Sequence, residues 1–232
     1  VVAVATLALA IGSATAVFSV VDAVVLRGVP YGHAGQLRTI YRRSDDNDYR
    51  VPSFPTFSDW QSAAATVRDA IDGFAFVRED AAFIGNSAER QTAAYVTPGF
   101  FHLMDTRPLL GRTFLPDEEK LGAPRVAVLS YDFFMKQFGG DRSIIGSRVA
   151  IDSVPTTVIG VMPRGFAFPN FAGGGWLPPA VWQPVAVFQA TNKALSLRGL
   201  HVDSRTILRI HPGADSARVA AAMHTIARRI AA

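Results

Sequence analysis

The first 26 residues place the strongest constraint on what this chain can become. VVAVATLALAIGSATAVFSVV runs without a charge to Asp22, and the apolar character resumes through Ala23-Val24-Val25-Leu26. A bilayer's hydrocarbon core requires about 20 apolar residues at helical rise, and this run meets that length. Beyond Arg27 the sequence is mixed, charged and punctuated by turns. The pattern predicts a membrane-spanning helix over 1–27 that leads into a folded, water-exposed domain.

Within that run Ala8, Gly12 and Ala16 recur at spacing four, as do Ala10 and Ala14. In lipid such a stripe lets a second helix approach closely, although an alanine-rich span produces it by composition alone. Ala14-Thr15-Ala16 also fits the A-x-A pattern of a cleaved signal peptide. An anchor is the better expectation, because apolar sequence continues for about ten residues past that point, as a span of membrane length requires. The chain begins at Val1 without a methionine and reads as a piece of a longer protein. Arg27, Arg38, Arg42 and Arg43 therefore have no upstream flank against which to set orientation.

Of the 232 residues, roughly 200 follow the anchor, enough for one sizeable domain or two small ones. The positive mean hydropathy of +0.21 owes much to the N-terminal run. Formal net charge is +4, and the arginines (Arg50, Arg68, Arg78, Arg90, Arg107, Arg125 among them) are scattered singly. A nucleic-acid binder gathers its basic residues on one face, so that class is disfavoured. Weak attraction to membrane lipid headgroups fits the balance better. With no cysteine, disulfides, CxxC redox chemistry and thiolate-held zinc are excluded.

Gly28-Val29-Pro30-Tyr31-Gly32 is a turn-rich exit, followed by an alternating strand over 37–41. Ser44-Asp45-Asp46-Asn47-Asp48 is a polar loop that lacks the glycine and the late glutamate of a calcium loop. A helix opens over 53–60, where Thr56 and Asp59 have capping-box spacing and Pro55 suits a helix start. Its Phe57, Trp60, Ala64 and Val67 share one face and read as core. Strands are expected over 71–77, 81–84 and 91–96, the first two paired across an Arg78-Glu79-Asp80 corner. Thr97-Pro98-Gly99 reads as a cap with proline opening a helix at Phe100-Phe101. Residues 109–119 show no clear period.

Further on, a short buried strand over 125–129 leads to a helix capped by Ser130, bearing Phe133, Phe134 and Phe138 and stopped by Gly139-Gly140. Strands over 147–152 and 156–162 form a hairpin. Residues 163–184, rich in glycine and proline around Gly173-Gly174-Gly175, read as one long irregular loop. A last strand over 206–210 precedes a helix over 215–230 with Val219, Met223, Ile226 and Ile230 on one face. This pattern predicts an α+β domain rather than a doubly wound sheet.

Catalytic patterns are missing from the sequence. There is no GxxxxGK[ST] phosphate loop, and Gly85-Asn86-Ser87-Ala88-Glu89 lacks the last glycine of a nucleophile elbow. His33, His102, His201, His211 and His224 never fall at metal-ligand spacing. No catalytic, cofactor-binding or metal-binding residue is assigned. Arg112 and Arg164, each beside a glycine, either face an acidic partner or satisfy loop carbonyls.

Together several segments resemble MacB/FtsX-like ABC transporter permeases. Ser19 through Arg27 is similar to the end of their first membrane helix. Six stretches resemble successive motifs of the MacB-type periplasmic core domain: 53–60, 96–101, 108–114, 126–130, Phe138-Gly139-Gly140-Asp141 with Ile145-Gly146, and 158–166. Departures fall at Met104-Asp105-Thr106, at Arg142 where proline is usual, and at Asp152-Ser153 where a glycine turn is common. The resemblance implies a non-catalytic extracytoplasmic domain between the first two membrane helices of an inner-membrane permease. Its parts would be a porter-like segment over 28–104, an inserted β-rich sabre-like part over 105–175, and a second porter-like segment over 176–232. The implied partners are a cytoplasmic ABC ATPase, a second permease copy and a periplasmic adaptor protein, with no cofactor. Its work would be to couple ATP hydrolysis to efflux by mechanical transmission. The rival readings are a membrane-anchored binding or sensor module without an ATPase, and a secreted hydrolase.

Overall fold

Alternation along the strands sorts apolar side chains onto two faces of one sheet. Phe74, Phe76, Ala82, Tyr95, Leu129 and Val181 belong to one buried cluster. Ala75, Val77, Ala94, Val128 and Trp182, their neighbours in sequence, belong to the other. The computed structural model describes residues 34–43, 49–50, 52–63, 70–85, 89–166, 178–197 and 204–231. The expected membrane helix over 1–27, the polar loop 44–48 and the Gly173-Gly174-Gly175 stretch lie outside them. Among the described residues no helix is long and apolar enough to cross a membrane.

The strands are β1 (Leu37–Ile40), β2 (Arg42–Arg43), β3 (Tyr49–Arg50), β4 (Ile71–Phe83), β5 (Arg90–Val96), β6 (Leu110–Gly111), β7 (Val126–Leu129), β8 (Arg148–Ile151), β9 (Val154–Val161), β10 (Val181–Pro184) and β11 (Arg205–Ile210). The helices are α1 (Phe54–Ala63), α2 (Phe100–Leu103), α3 (Tyr131–Phe138), α4 (Val185–Thr191) and α5 (Ser216–Ala231). Nine strands form one sheet in the order β1-β11-β4-β5-β10-β7-β9-β6, with β8 also on β9, while β2 and β3 pair separately. The β5–β10 and β7–β9 contacts are parallel and the rest antiparallel. The domain is therefore mixed α/β. Phe57 of α1, Phe134 of α3, Phe188 of α4 and Val219 of α5 cover the first face. Phe100, Phe101 and Leu103 of α2, with Phe114 and Phe166, cover the second.

The sheet also closes on itself. Ile84, just past β4, bridges to Ile151 of β8, and Gly85 donates to the Ala150 carbonyl at 2.8 Å. Hydrogen bonds thus run in a circuit through β4, β5, β10, β7, β9 and β8. At the β8–β9 turn Asp152 (φ 48°) and Ser153 (φ 64°) are both left-handed. That is the geometry of a two-residue type I′ turn, held here without glycine. On the other half of β9, β6 crosses so closely that Gly111 and Gly160 leave no room for a Cβ against the opposing carbonyls.

Four sequence expectations are corrected. Residues 71–83 form one strand with no corner at Arg78-Glu79-Asp80, because all of Val77 to Phe83 pairs with β5. Ser53, not Thr56, caps α1: its backbone carbonyl receives Phe57 N–H at 3.0 Å and its hydroxyl contacts the Thr56 hydroxyl. Thr97 does not cap α2; its hydroxyl accepts the Phe76 N–H at 3.1 Å, and Gly99 takes the cap position. The stretch 163–184 contains β10, a fully buried strand inside the sheet. Its last residue, Pro184, ends the pairing opposite Val96. The Ser130 cap of α3 and the left-handed Gly139 at its end are as expected.

Candidate functional site

The first and last strands of the domain lie side by side. Leu37 pairs with Arg209, Arg38 with Leu208, Thr39 with Ile207 and Ile40 with Thr206. Leu37 is buried, and the turn before it is drawn in by Arg38 Nη1, which donates to the Gly35 carbonyl at 2.6 Å. β11 in turn pairs along its length with the long strand β4.

Where β11 ends, the β4–β11 register slips, so that Asp72 lies between the paired positions Ile71 with Ile210 and Gly73 with Arg209. Such a bulge re-aims a side chain. Here it sets the Asp72 carboxylate between Arg209 and His211. Arg209 Nε donates to Oδ2, and His211 Nε2 stands 2.7 Å from Oδ1. Burial pushes the carboxyl upward, but the hydrogen bonds and charges of Arg209 and His211 outweigh it and hold Asp72 below its ordinary range. Past the bulge the ladder resumes, with His211 N–H on the Ala70 carbonyl at 2.9 Å. A surface cleft beside it is lined by His211, Gly213, Asp215 and Arg218 at the start of α5.

A carboxylate with both oxygens engaged by a guanidinium and an imidazole is a tie between strands, not a poised base. Among the described residues no group of three or more His, Asp or Glu is placed to hold a metal ion. His102 and His224 are exposed, whereas His33 and His201 fall outside the described residues. Of the two arginines singled out by sequence, Arg112 grips Glu118 with both terminal nitrogens, at 3.0 and 2.6 Å, and also serves the Thr113 carbonyl. Arg164 is exposed on a turn. Asp72 and Arg209 were not found from sequence. The available signal was an arginine between Leu208 and Ile210 in an apolar strand, which requires a buried counter-charge.

A second polar group lies under α4. Arg78, Tyr95 and Gln183 occupy one register row across β4, β5 and β10. The Arg78 guanidinium stands 4.6 Å from the Phe188 ring centroid, and the Tyr95 ring packs on Phe188 at 5.1 Å. Burial, foremost, pushes the Tyr95 hydroxyl up to about 12, so the phenol stays protonated.

A strand-paired mixed α/β domain of this kind has known counterparts. The family model of the MacB-like periplasmic core domain matches residues 1–226, and the chain belongs to that family, the periplasmic core domain of MacB/FtsX-type ABC transporter permeases. Domains of this kind are the periplasmic or extracellular part of a membrane transporter and are typically non-catalytic. No curated protein matches the chain in sequence. Among solved structures, the periplasmic region of MacB from Actinobacillus actinomycetemcomitans superposes with a TM-score of 0.58 at 14% identity, over 86% of this chain and 85% of that one. The extracellular domain of the noncanonic ABC-type transporter YknZ from Gram-positive bacteria gives a TM-score of 0.54 at 16% identity, over 80% and 88%. At these identities the likeness is one of fold.

Proposed function

We propose that this domain is a non-catalytic coupling element, passing movement between a membrane helix over 1–27 and extracytoplasmic partners. Kinship to ABC transporter permeases implies a cytoplasmic ATPase that drives the movement. On this reading a second permease copy and a periplasmic adaptor complete the assembly, in a cell inner membrane with residues from about 28 onward outside the cytoplasm. The domain would divide into porter-like segments over 28–104 and 176–232, with a sabre-like part over 105–175.

One observation supports this reading above the others. β1, the first strand after the N-terminal run, is hydrogen-bonded along its whole length to β11, the last strand. Asp72 ties β11 to β4, and α5 follows directly. A displacement entering at β1 thus meets a ladder and an ion pair rather than a flexible joint. Flexible Gly-Ser linkers behave as coils and transmit neither push nor rotation. A short Gly-Ser insertion between Leu26 and Tyr31 in the intact transporter should therefore leave ATP hydrolysis running while transport falls. Transport unchanged by the insertion would overturn mechanical coupling and leave an anchored binding or sensor module as the better reading.

A further inference from the structure

Asp72-Gly73 is the only Asp-Gly step in the chain, and the chain has no Asn-Gly. The bulge accounts for both residues. It sets Asp72 between the pairs Ile71 with Ile210 and Gly73 with Arg209. Gly73 takes φ 155°, a setting that residues with a Cβ rarely adopt. An Asp-Gly step carries a chemical liability. With no side chain to obstruct it, the glycine nitrogen closes on the carboxyl carbon of the residue before it, a partner held permanently at close range. Water reaches this step, because the Asp72 side chain is 27% exposed and the cleft of His211, Gly213 and Arg218 opens beside His211. The carboxylate, however, is not free to turn. Arg209 Nε holds Oδ2 and His211 Nε2 stands 2.7 Å from Oδ1. Both oxygens are thus directed across to the neighbouring strand.

We propose that Asp72-Gly73 is a latent isoaspartate site, and that Arg209 and His211 guard it. The modification needs no oxidant, cofactor or enzyme. The Gly73 nitrogen bonds to Cγ of Asp72, and one carboxyl oxygen leaves as water with the amide proton and the acid proton. The five-membered succinimide so formed takes water back at either of its two carbonyl carbons. Opening at Cγ restores aspartate. Opening at the main-chain carbonyl carbon leaves the chain running through Cγ as isoaspartate, one atom longer. Ring closure requires the carboxyl to turn towards its own chain and to lose a protonated oxygen. The two contacts oppose both steps. Turning breaks two hydrogen bonds to an ionised acceptor, which are stronger than neutral ones. Against the upward push of burial, the same contacts keep Asp72 below its ordinary range. Isoaspartate at this position puts an extra main-chain atom into β4 between two pairs with β11, and removes the tie. Nothing in this depends on the coupling role.

The test ages the full chain at neutral pH and maps isoaspartate at position 72 by electron-transfer fragmentation of the peptide 69–78, which trypsin releases. The same peptide, aged free in solution, gives the unguarded rate. The folded wild type should form isoaspartate at least about tenfold more slowly than the free peptide, the equilibrium factor of one hydrogen bond to a charged group. His211→Ala and Arg209→Gln should each accelerate it severalfold, and Arg209→Lys, which restores a cationic donor, should recover part of the protection. Amide hydrogen exchange over 70–76, measured on the same samples, separates the guard from general loosening of the strand. Acceleration in His211→Ala with unchanged exchange supports the guard. A wild-type rate equal to that of the free peptide, a His211→Ala rate equal to wild type, or acceleration that only tracks a matching rise in exchange would each overturn it.

Discussion

Asp152 and Phe83, 69 positions apart, exchange two hydrogen bonds: Phe83 N–H donates to the Asp152 carboxylate at 2.9 Å, and Asp152 N–H donates to the Phe83 carbonyl at 2.9 Å. This exchange joins the far end of β4 to the β8–β9 turn and completes the strand circuit. Asp152→Ala removes the side-chain acceptor and puts a non-polar residue in a left-handed conformation, which together should cost about 1–2 kcal/mol. Asp152→Asn keeps an acceptor and tolerates that conformation, so its urea midpoint should stay near wild type.

The Asp72 tie has its own pH signature. Its folded value is depressed, so the stability it contributes is fully present above its ordinary value of 3.8 and is lost as pH falls through the depressed one. Asp72→Asn should lower neutral-pH stability by about 1.5–3 kcal/mol, the range for hydrogen bonds to charged groups. The variant should also lose less stability than wild type on acidification to below about pH 4, where carboxylates titrate. Parallel thermal melts across that range check both parts. Equal acid sensitivity in the two proteins would show that the tie contributes nothing.

On α1 the aromatic face is core, as the spacing in sequence predicts: Phe57 is 0% and Trp60 3% exposed. Trp60→Ala should cost about 3–5 kcal/mol in a denaturant melt. Among the described residues the indole Nε1 finds no hydrogen-bond partner, so Trp60→Phe forfeits mainly packing and should cost less than half as much.

Elements whose cause is local were readable before any coordinates. Ser130 and Gly139-Gly140 bracket α3 because a cap and a left-handed stop are decided within one turn, and the β8–β9 hairpin follows from strand spacing alone. β10 was hidden because Val181-Trp182-Gln183-Pro184 is short and bracketed by prolines. Only its two neighbours, β5 and β7, make it a strand. The polar triplet Arg78-Glu79-Asp80 resembled a corner for a related reason: its partner in β5 and the Phe188 ring under Arg78 are distant in sequence. The Asp72–Arg209 tie spans 137 positions, beyond any pattern of spacing. The family resemblance carried what local rules could not, because it rests on ordered motifs along the whole chain.

Where β6 crosses β9, two missing side chains fit one another. The obstacle to a methyl group at Gly111 is the main chain of Ile159, and the obstacle at Gly160 is the main chain of Arg112. Main-chain atoms are common to every residue type, so no replacement at a neighbouring position can make space for either substitution. The two sites therefore admit no compensating pair of changes. A sequence can wander widely elsewhere in this domain and keep its shape, but at this crossing it has a single solution.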